Sequence, residues 1–124
     1  TVEAHPDELE AMRERGVFFH VSLPDARPPD EDALFRALGP RVYLSIDLGV
    51  FGPNAVPGTS FPEARAGLDP DGAQRLIERL FREREVVGAD LCELRPLPND
   101  PRGEVFAAAL ARRLIALASR HRLS

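Results

Sequence analysis

The chain has 124 residues, of which 44% are hydrophobic and 29% are charged, and its formal net charge is −4. These values suit one soluble globular domain over residues 1–124. No basic block is present, which argues against a nucleic-acid partner. The apolar runs predict neither a membrane span nor a signal peptide. The single cysteine, Cys92, allows neither an internal disulfide nor a cysteine metal motif, so we expect a cytoplasmic protein.

Helix-like and strand-like segments alternate from the first residues onward. Helix signals cover residues 7–15 and 31–38, and each segment ends at a glycine, Gly16 or Gly39, that suits a helix C-terminus. The apolar and partly β-branched run at 17–23 lies between them. That run predicts a strand.

The middle of the chain contains the clearest strand. Residues 41–47 (RVYLSID) are β-rich and nearly all apolar, which is typical of a central parallel strand covered on both faces. Residues 48–68 are rich in glycine and proline and predict a long loop, which in a compact domain usually carries function. Asp69 and Pro70 then provide a cap and a first-turn proline for a helix that is predicted to end near residue 84.

The last elements are a strand predicted at 86–94 (VVGADLCEL) and a helix predicted at 104–121. The alternation of strands and helices predicts an α/β fold with a mostly parallel sheet and helices on its faces. Ligands of such sheets bind beyond the carboxyl ends of the strands. The two best strands carry Asp47 and Glu93 at those ends.

Three segments together resemble a known family. Residues 45–58 (SIDLGVFGPNAVPG) match the pattern S-x-D-x-D-x-x-D-P-x-x-x-P-G in spacing and at most of its fixed positions. Residues 59–68 (TSFPEARAGL) resemble T-G-x-P-E-x-x-G-G-L, and residues 86–96 (VVGADLCELRP) resemble V-V-G-x-D-x-x-E-x-x-P. These are patterns of the ureohydrolase family, which includes the arginases, agmatinases and formiminoglutamases, and the resemblance is to the C-terminal half of that fold.

The resemblance implies a fold, a reaction and a site. The fold is a three-layer α/β/α arrangement with a mostly parallel sheet. The reaction is the hydrolysis of guanidino or formimino C–N bonds by a hydroxide that two manganese ions share, because a metal pair lowers the pKa of bound water. By position, Asp47 would be a metal ligand and Glu93 would pair with the guanidinium of a small-molecule substrate.

The departures from the family pattern concern the metal ligands. The second aspartate of D-x-D is Gly49 here, and the aspartate of the D-P step is Gly52. Glycine has no side chain that could donate an oxygen. The family's other ligands lie in G-G-D-H and D-A-H-x-D motifs, and neither motif occurs in these 124 residues. We therefore expect this chain alone to bind no manganese pair and to be inactive.

Three interpretations follow, and they differ in class. The chain is a fragment of a longer ureohydrolase-like protein, a degenerate domain with a binding or assembly role, or one part of a composite site completed by another chain. In each case we expect a homo-oligomer or a complementary partner chain, because about three strands leave a sheet edge uncovered.

Simpler interpretations of the two acidic site residues stay open. Asp47 could be a strand-end residue that caps the following turn, as aspartate commonly does. Glu93 lies in an apolar run, where an unpaired carboxylate is costly, so a structural salt bridge with Arg95 or Arg41 is the alternative to substrate binding.

Other polar residues are given structural roles. Asp90 is expected to accept backbone hydrogen bonds, and Cys92 is expected to be a small core residue. The histidines, His5, His20 and His121, lie outside any metal motif, and His5 stands where it would cap the first helix.

Overall fold

The computed structural model describes residues 5–17, 30–58 and 67–121. The chain forms two compact units, Thr1–Leu38 and Gly39–Ser124. The first unit contains helix α1 (Pro6–Glu14) and helix α2 (Glu31–Ala37). The strand predicted at 17–23 lies outside the described residues, apart from its first residue.

Local capping explains where these two helices begin. His5 is the N-cap of α1, and its backbone N–H donates to Glu8 Oε2 at 3.0 Å. Asp30 is the N-cap of α2, and its Oδ1 accepts the N–H of Ala33 at 3.0 Å. Each bond satisfies a backbone donor at a helix end or its cap. Both predicted helices are confirmed to within a residue at either end.

The second unit is a β-α-β arrangement followed by a helix. Its elements are strand β1 (Arg41–Asp47), a 3-10 turn (Leu48–Phe51), helix α3 (Gly52–Ala55), helix α4 (Pro70–Glu83), strand β2 (Glu85–Cys92) and helix α5 (Arg102–His121). The two strands pair in parallel. The predicted α/β fold with a parallel sheet is therefore confirmed. None of the described helices is both long and apolar enough to cross a bilayer.

The segment after β1 is more regular than expected. Residues 48–68 were predicted to be one loop, and this is wrong for their first part, because the 3-10 turn and α3 follow β1 directly. The Oδ1 of Asp47 accepts the N–H of Gly49 at 2.7 Å and starts the turn. Leu48 and Phe51 then point into the core. Burial of these two side chains holds a short turn that has no periodic pattern in the sequence.

The core lies on one side of the sheet. Its buried residues come from β1, the segment after it, α4 and α5: Ile46, Leu48, Phe51, Val56, Ala73, Ile77, Phe81, Ala107 and Leu114. The rings of Phe51 and Phe106 are tilted at 59° with their centroids 4.9 Å apart, which adds an aromatic contact between the 3-10 turn and α5. Both long helices therefore cover the same face of the sheet.

The other face of β1 is exposed. Val42 and Ile46 are buried, whereas the side chain of Tyr43 between them is 63% exposed. The prediction that β1 is covered on both faces is therefore wrong for the described structure, because α4 and α5 pack together on the Ile46 side. The strand alternates in burial as a half-exposed strand does.

A bulge sets the register between the strands. Val42 pairs with Val86, but Tyr43 pairs with Gly88, so Val87 is an extra residue on β2. From the bulge onward the pairing is regular and ends at the carboxyl edge of the sheet. Within the described residues the sheet has these two strands only.

Candidate functional site

The carboxyl ends of β1 and β2 bring the predicted site residues together. Asp47 is the last residue of β1 and pairs in register with Cys92, the last residue of β2. Glu93 follows Cys92 directly. Asp47 and Glu93 therefore lie at the same edge of the sheet, and both are exposed.

Asp47 has a structural task at this edge. Its Oδ1 accepts the N–H of Gly49, and it is the N-cap of the 3-10 turn. This is the capping arrangement that aspartate commonly makes at the start of a turn. One carboxylate oxygen is therefore already engaged by the backbone.

Glu93 adopts an unusual backbone conformation. Its φ is 65°, in the left-handed region that residues other than glycine rarely enter. Such strain costs on the order of 1–3 kcal/mol and is concentrated at functional sites. The prediction that Glu93 lies inside the second strand is wrong: β2 ends one residue earlier, and Glu93 is exposed beyond it. Arg41, one suggested salt-bridge partner, pairs instead with Glu85 at 3.4 Å.

The residues at this edge do not fit a two-manganese centre. Gly49 and Gly52 stand at positions where the family pattern has aspartates. Gly52 is buried and has φ 71° and ψ 165°, a conformation that is essentially restricted to glycine. In the part of the chain that the structure describes, no group of three or more His, Cys, Asp or Glu side chains could hold a metal ion. Among the described residues at this edge, Asp47 is the one that matches an aspartate of the D-x-D pattern.

Cys92 lies among the acidic residues and is not a core residue, contrary to expectation. It is exposed, and its Sγ lies 3.6 Å from the carbonyl oxygen of Ile46, to which the thiol donates. Partial burial of the sulfur raises the pKa of this thiol, and the charges of Asp47, Asp90 and Glu93 raise it further. Cys92 therefore lies in a negatively charged part of the sheet edge.

Asp90 joins the two strands through side chains. Its Oδ1 accepts the hydroxyl of Ser45 at 2.9 Å. Asp90 also raises the pKa of Tyr43, through side-chain hydrogen bonding and through its charge. Asp90 thus has a structural role, as expected, but its hydrogen-bond partner among the described residues is the Ser45 hydroxyl and not a backbone group. Tyr43 and Ser45 are residues that sequence reasoning missed, although both share the exposed face of β1 with Asp47.

The loops after the two strands are in contact at the same edge. Gly58 has φ 86°, and a Cβ placed on it would lie 2.2 Å from the carbonyl oxygen of Arg95. A Cβ on Gly103, in the first turn of α5, would lie 2.8 Å from the carbonyl oxygen of Pro57. Glycine at both positions allows the backbones to approach this closely.

Comparison with known proteins identifies related sequences. The model of the Arginase family matches residues 22–117. An N(1)-aminopropylagmatine ureohydrolase of Thermus thermophilus is 37% identical over 114 residues, which cover 88% of this chain and 36% of the relative. A formimidoylglutamase of Streptococcus pyogenes is 38% identical over 60 residues, which cover 48% of this chain and 18% of that protein.

A solved structure has the same fold. Arginase from Medicago truncatula superimposes with a TM-score of 0.60 at 25% sequence identity, over 94% of this chain and 37% of the arginase chain. The chain therefore spans about a third of the length of the ureohydrolase and the arginase that it matches.

Proposed function

Because the chain belongs to the arginase family, we propose that it supplies the guanidinium-facing edge of a ureohydrolase-type site and does not hold the family's metal pair by itself. The observation that carries this proposal is the meeting of Asp47 and Glu93 at one sheet edge, at the positions where the family pattern has a metal ligand and a substrate carboxylate. Two of the relatives are named as a ureohydrolase and a formimidoylglutamase. The ligand class that we propose is a guanidino or formimino compound.

Glu93 is the residue to which we assign recognition of the cation. Carboxylates bind guanidinium groups through charge-assisted and often paired hydrogen bonds. Asp90 and Asp47 add negative charge nearby, because both act on the thiol of Cys92, which precedes Glu93. A cationic ligand at this edge would be attracted by the negative charge of these carboxylates.

Turnover requires ligands that these residues do not provide. Gly49 and Gly52 offer no side-chain oxygen, so hydrolysis needs metal ligands from further sequence in a longer protein or from a second chain. The same two glycines support the alternative function, a non-catalytic module that binds a guanidino compound or assists assembly with the same fold. Both versions predict no turnover by this chain, and binding at Glu93 is expected unless the role is in assembly alone.

The first prediction is that this chain releases no urea or formamide. Arginine, agmatine and formiminoglutamate would be assayed with added manganese, with the Thermus thermophilus ureohydrolase as the positive control on its own substrate. Calorimetry with manganese should detect no dissociation constant below roughly 1 µM, which corresponds to about −8 kcal/mol. Product above the blank, or a manganese dissociation constant below that value, would contradict the prediction.

The second prediction concerns binding at Glu93. Agmatine titrated into the protein should shift the amide resonances of Cys92 and Glu93, and Glu93→Gln should weaken the interaction by about tenfold, or about 1.4 kcal/mol, since the charge is lost and the shape is kept. Glu85→Gln is the matched control, because Glu85 is an exposed carboxylate at the opposite end of the same strand. Equal affinities for the Glu93 variant and the wild type would refute the assignment.

A further inference from the structure

The exposed face of the sheet carries a connected set of side chains behind the proposed binding edge. Tyr43 and Ser45 project from β1 opposite Gly88 and Asp90 of β2. The Ser45 hydroxyl donates to Asp90 Oδ1 at 2.9 Å, and hydrogen bonding with Asp90 raises the pKa of Tyr43. We call Tyr43, Ser45 and Asp90 the clasp.

The ring of Tyr43 packs against Gly88. A Cβ at Gly88 would lie 2.7 Å from Cε2 of Tyr43, so the ring lies directly against the glycine backbone. Glycine within a strand weakens it and commonly marks a close approach. A side chain at this position would have to displace the ring.

Side-chain contacts after the bulge can add to the burial of one face in holding the register of the two strands. The bulge at Val87 interrupts the pairing near the start of β2, so the pairing before the bulge does not determine the pairing after it. A one-residue slip would turn every later side chain of β2 to the opposite face. The two strands that the described residues form have few ladder bonds to resist that slip.

We propose that Asp90 is a positioning residue, which fixes the register of β1 and β2 after the bulge through Tyr43 and Ser45. The clasp lies two residues before Asp47, or about 7 Å along the strand. Asp47 and Glu93 consequently meet at one edge. The inference rests on the proposed function only in the use made of those two carboxylates, and its own test requires neither ligand nor turnover.

The composition of the chain allows a specific test of the clasp. Tyr43 is the only tyrosine, and tryptophan is absent, so phenolate absorbance reports this hydroxyl alone. The amide proton of Gly49, which is bonded to Asp47 Oδ1, reports the position of Asp47 by hydrogen exchange. Asp90→Ala removes both clasp bonds, whereas Asp90→Asn keeps an acceptor oxygen and removes the charge.

The two variants are expected to separate charge from position. The pKa of Tyr43 should fall furthest in Asp90→Ala, which removes both the hydrogen bonding and the charge of Asp90 that raise it, and less in Asp90→Asn, which removes the charge alone. In Asp90→Ala the Gly49 amide should exchange faster by on the order of tenfold, since local opening becomes easier. In Asp90→Asn its exchange should stay close to the wild-type rate. Glu85→Ala, which removes the exposed Arg41–Glu85 ion pair at the other end of the strands, should leave Gly49 exchange unchanged.

Clear outcomes overturn the proposal. If Tyr43 titrates alike in wild type and Asp90→Ala, the clasp does not exist in solution. If the pKa of Tyr43 falls but Gly49 exchange does not change, the clasp exists but does not position Asp47. Protection of the α5 amides checks the fold. If Asp90→Ala loses that protection, Ser45→Ala is measured instead, because it removes a single bond. Unchanged Gly49 exchange in Ser45→Ala would also overturn the proposal.

Discussion

Gly52→Asp is expected to destabilise this chain by about 1–3 kcal/mol and to create no hydrolase. Gly52 has φ 71° and ψ 165° and is buried at the start of α3. A residue with a side chain is strained in that conformation, and an aspartate would also bring a charge into a buried position. The family's aspartate is therefore incompatible with the backbone conformation that this chain has at Gly52.

Urea denaturation measures this cost, and Gly49→Asp is the matched control. Gly49 also stands at a family aspartate position, but it is not among the glycines of positive φ in the described residues, so a smaller loss is expected. The double variant should still show no turnover with manganese, because catalytic groups that act as a unit do not contribute separately. A Gly52→Asp variant as stable as the wild type, or turnover by the double variant, would contradict the prediction.

Self-association through the free edge of β2 is the second large effect that we expect. In the described residues β2 pairs with β1 alone, so the backbone groups of its other edge have no strand partner there. Beside that edge, β2 and α5 line an apolar groove of about 450 Å³. Val87 on the strand and Ile115 on the helix are 51% and 66% exposed. We propose that a second copy covers this surface, because a free edge is complementary to the same edge of another copy related by a two-fold axis.

Light scattering from low to high micromolar concentration tests this proposal, with a dimer or larger oligomer as the expected result. Ile115→Glu should return the protein to a monomer, because it places a charge in the buried groove. Val105→Glu is the control, since Val105 is 65% exposed on the same helix but does not line the groove. A fully folded wild-type chain that stays monomeric at every concentration would contradict the proposal.

Much of the fold could be predicted from the sequence. The strand RVYLSID was bounded correctly at Arg41–Asp47, because β-rich residues stand between a glycine-proline turn and a strong aspartate signal. Asp69 was expected as the cap of α4, and its Oδ2 accepts the N–H of Gly72 at 2.8 Å. These features depend on neighbouring residues, so local sequence is sufficient to find them.

The remaining features depend on contacts between distant residues. A period-two pattern over VVGADLCEL cannot reveal the bulge at Val87, which arises from pairing with β1. It also places the end of β2 too late, because the strand stops where Glu93 turns into the left-handed region. The bond between Ser45 and Asp90 joins residues that are 45 positions apart. Such a partner is visible only once the register is known.

The contact between Gly58 and Arg95 limits how this edge can change in evolution or by design. The loop after β1 touches the backbone of the loop after β2 where a Cβ has no room. A longer or bulkier segment in one loop must therefore displace the other. Loop exchange between relatives with different substrates should succeed when both loops are transplanted as a pair, and single-loop chimaeras should fold poorly even if each loop is native to a working enzyme.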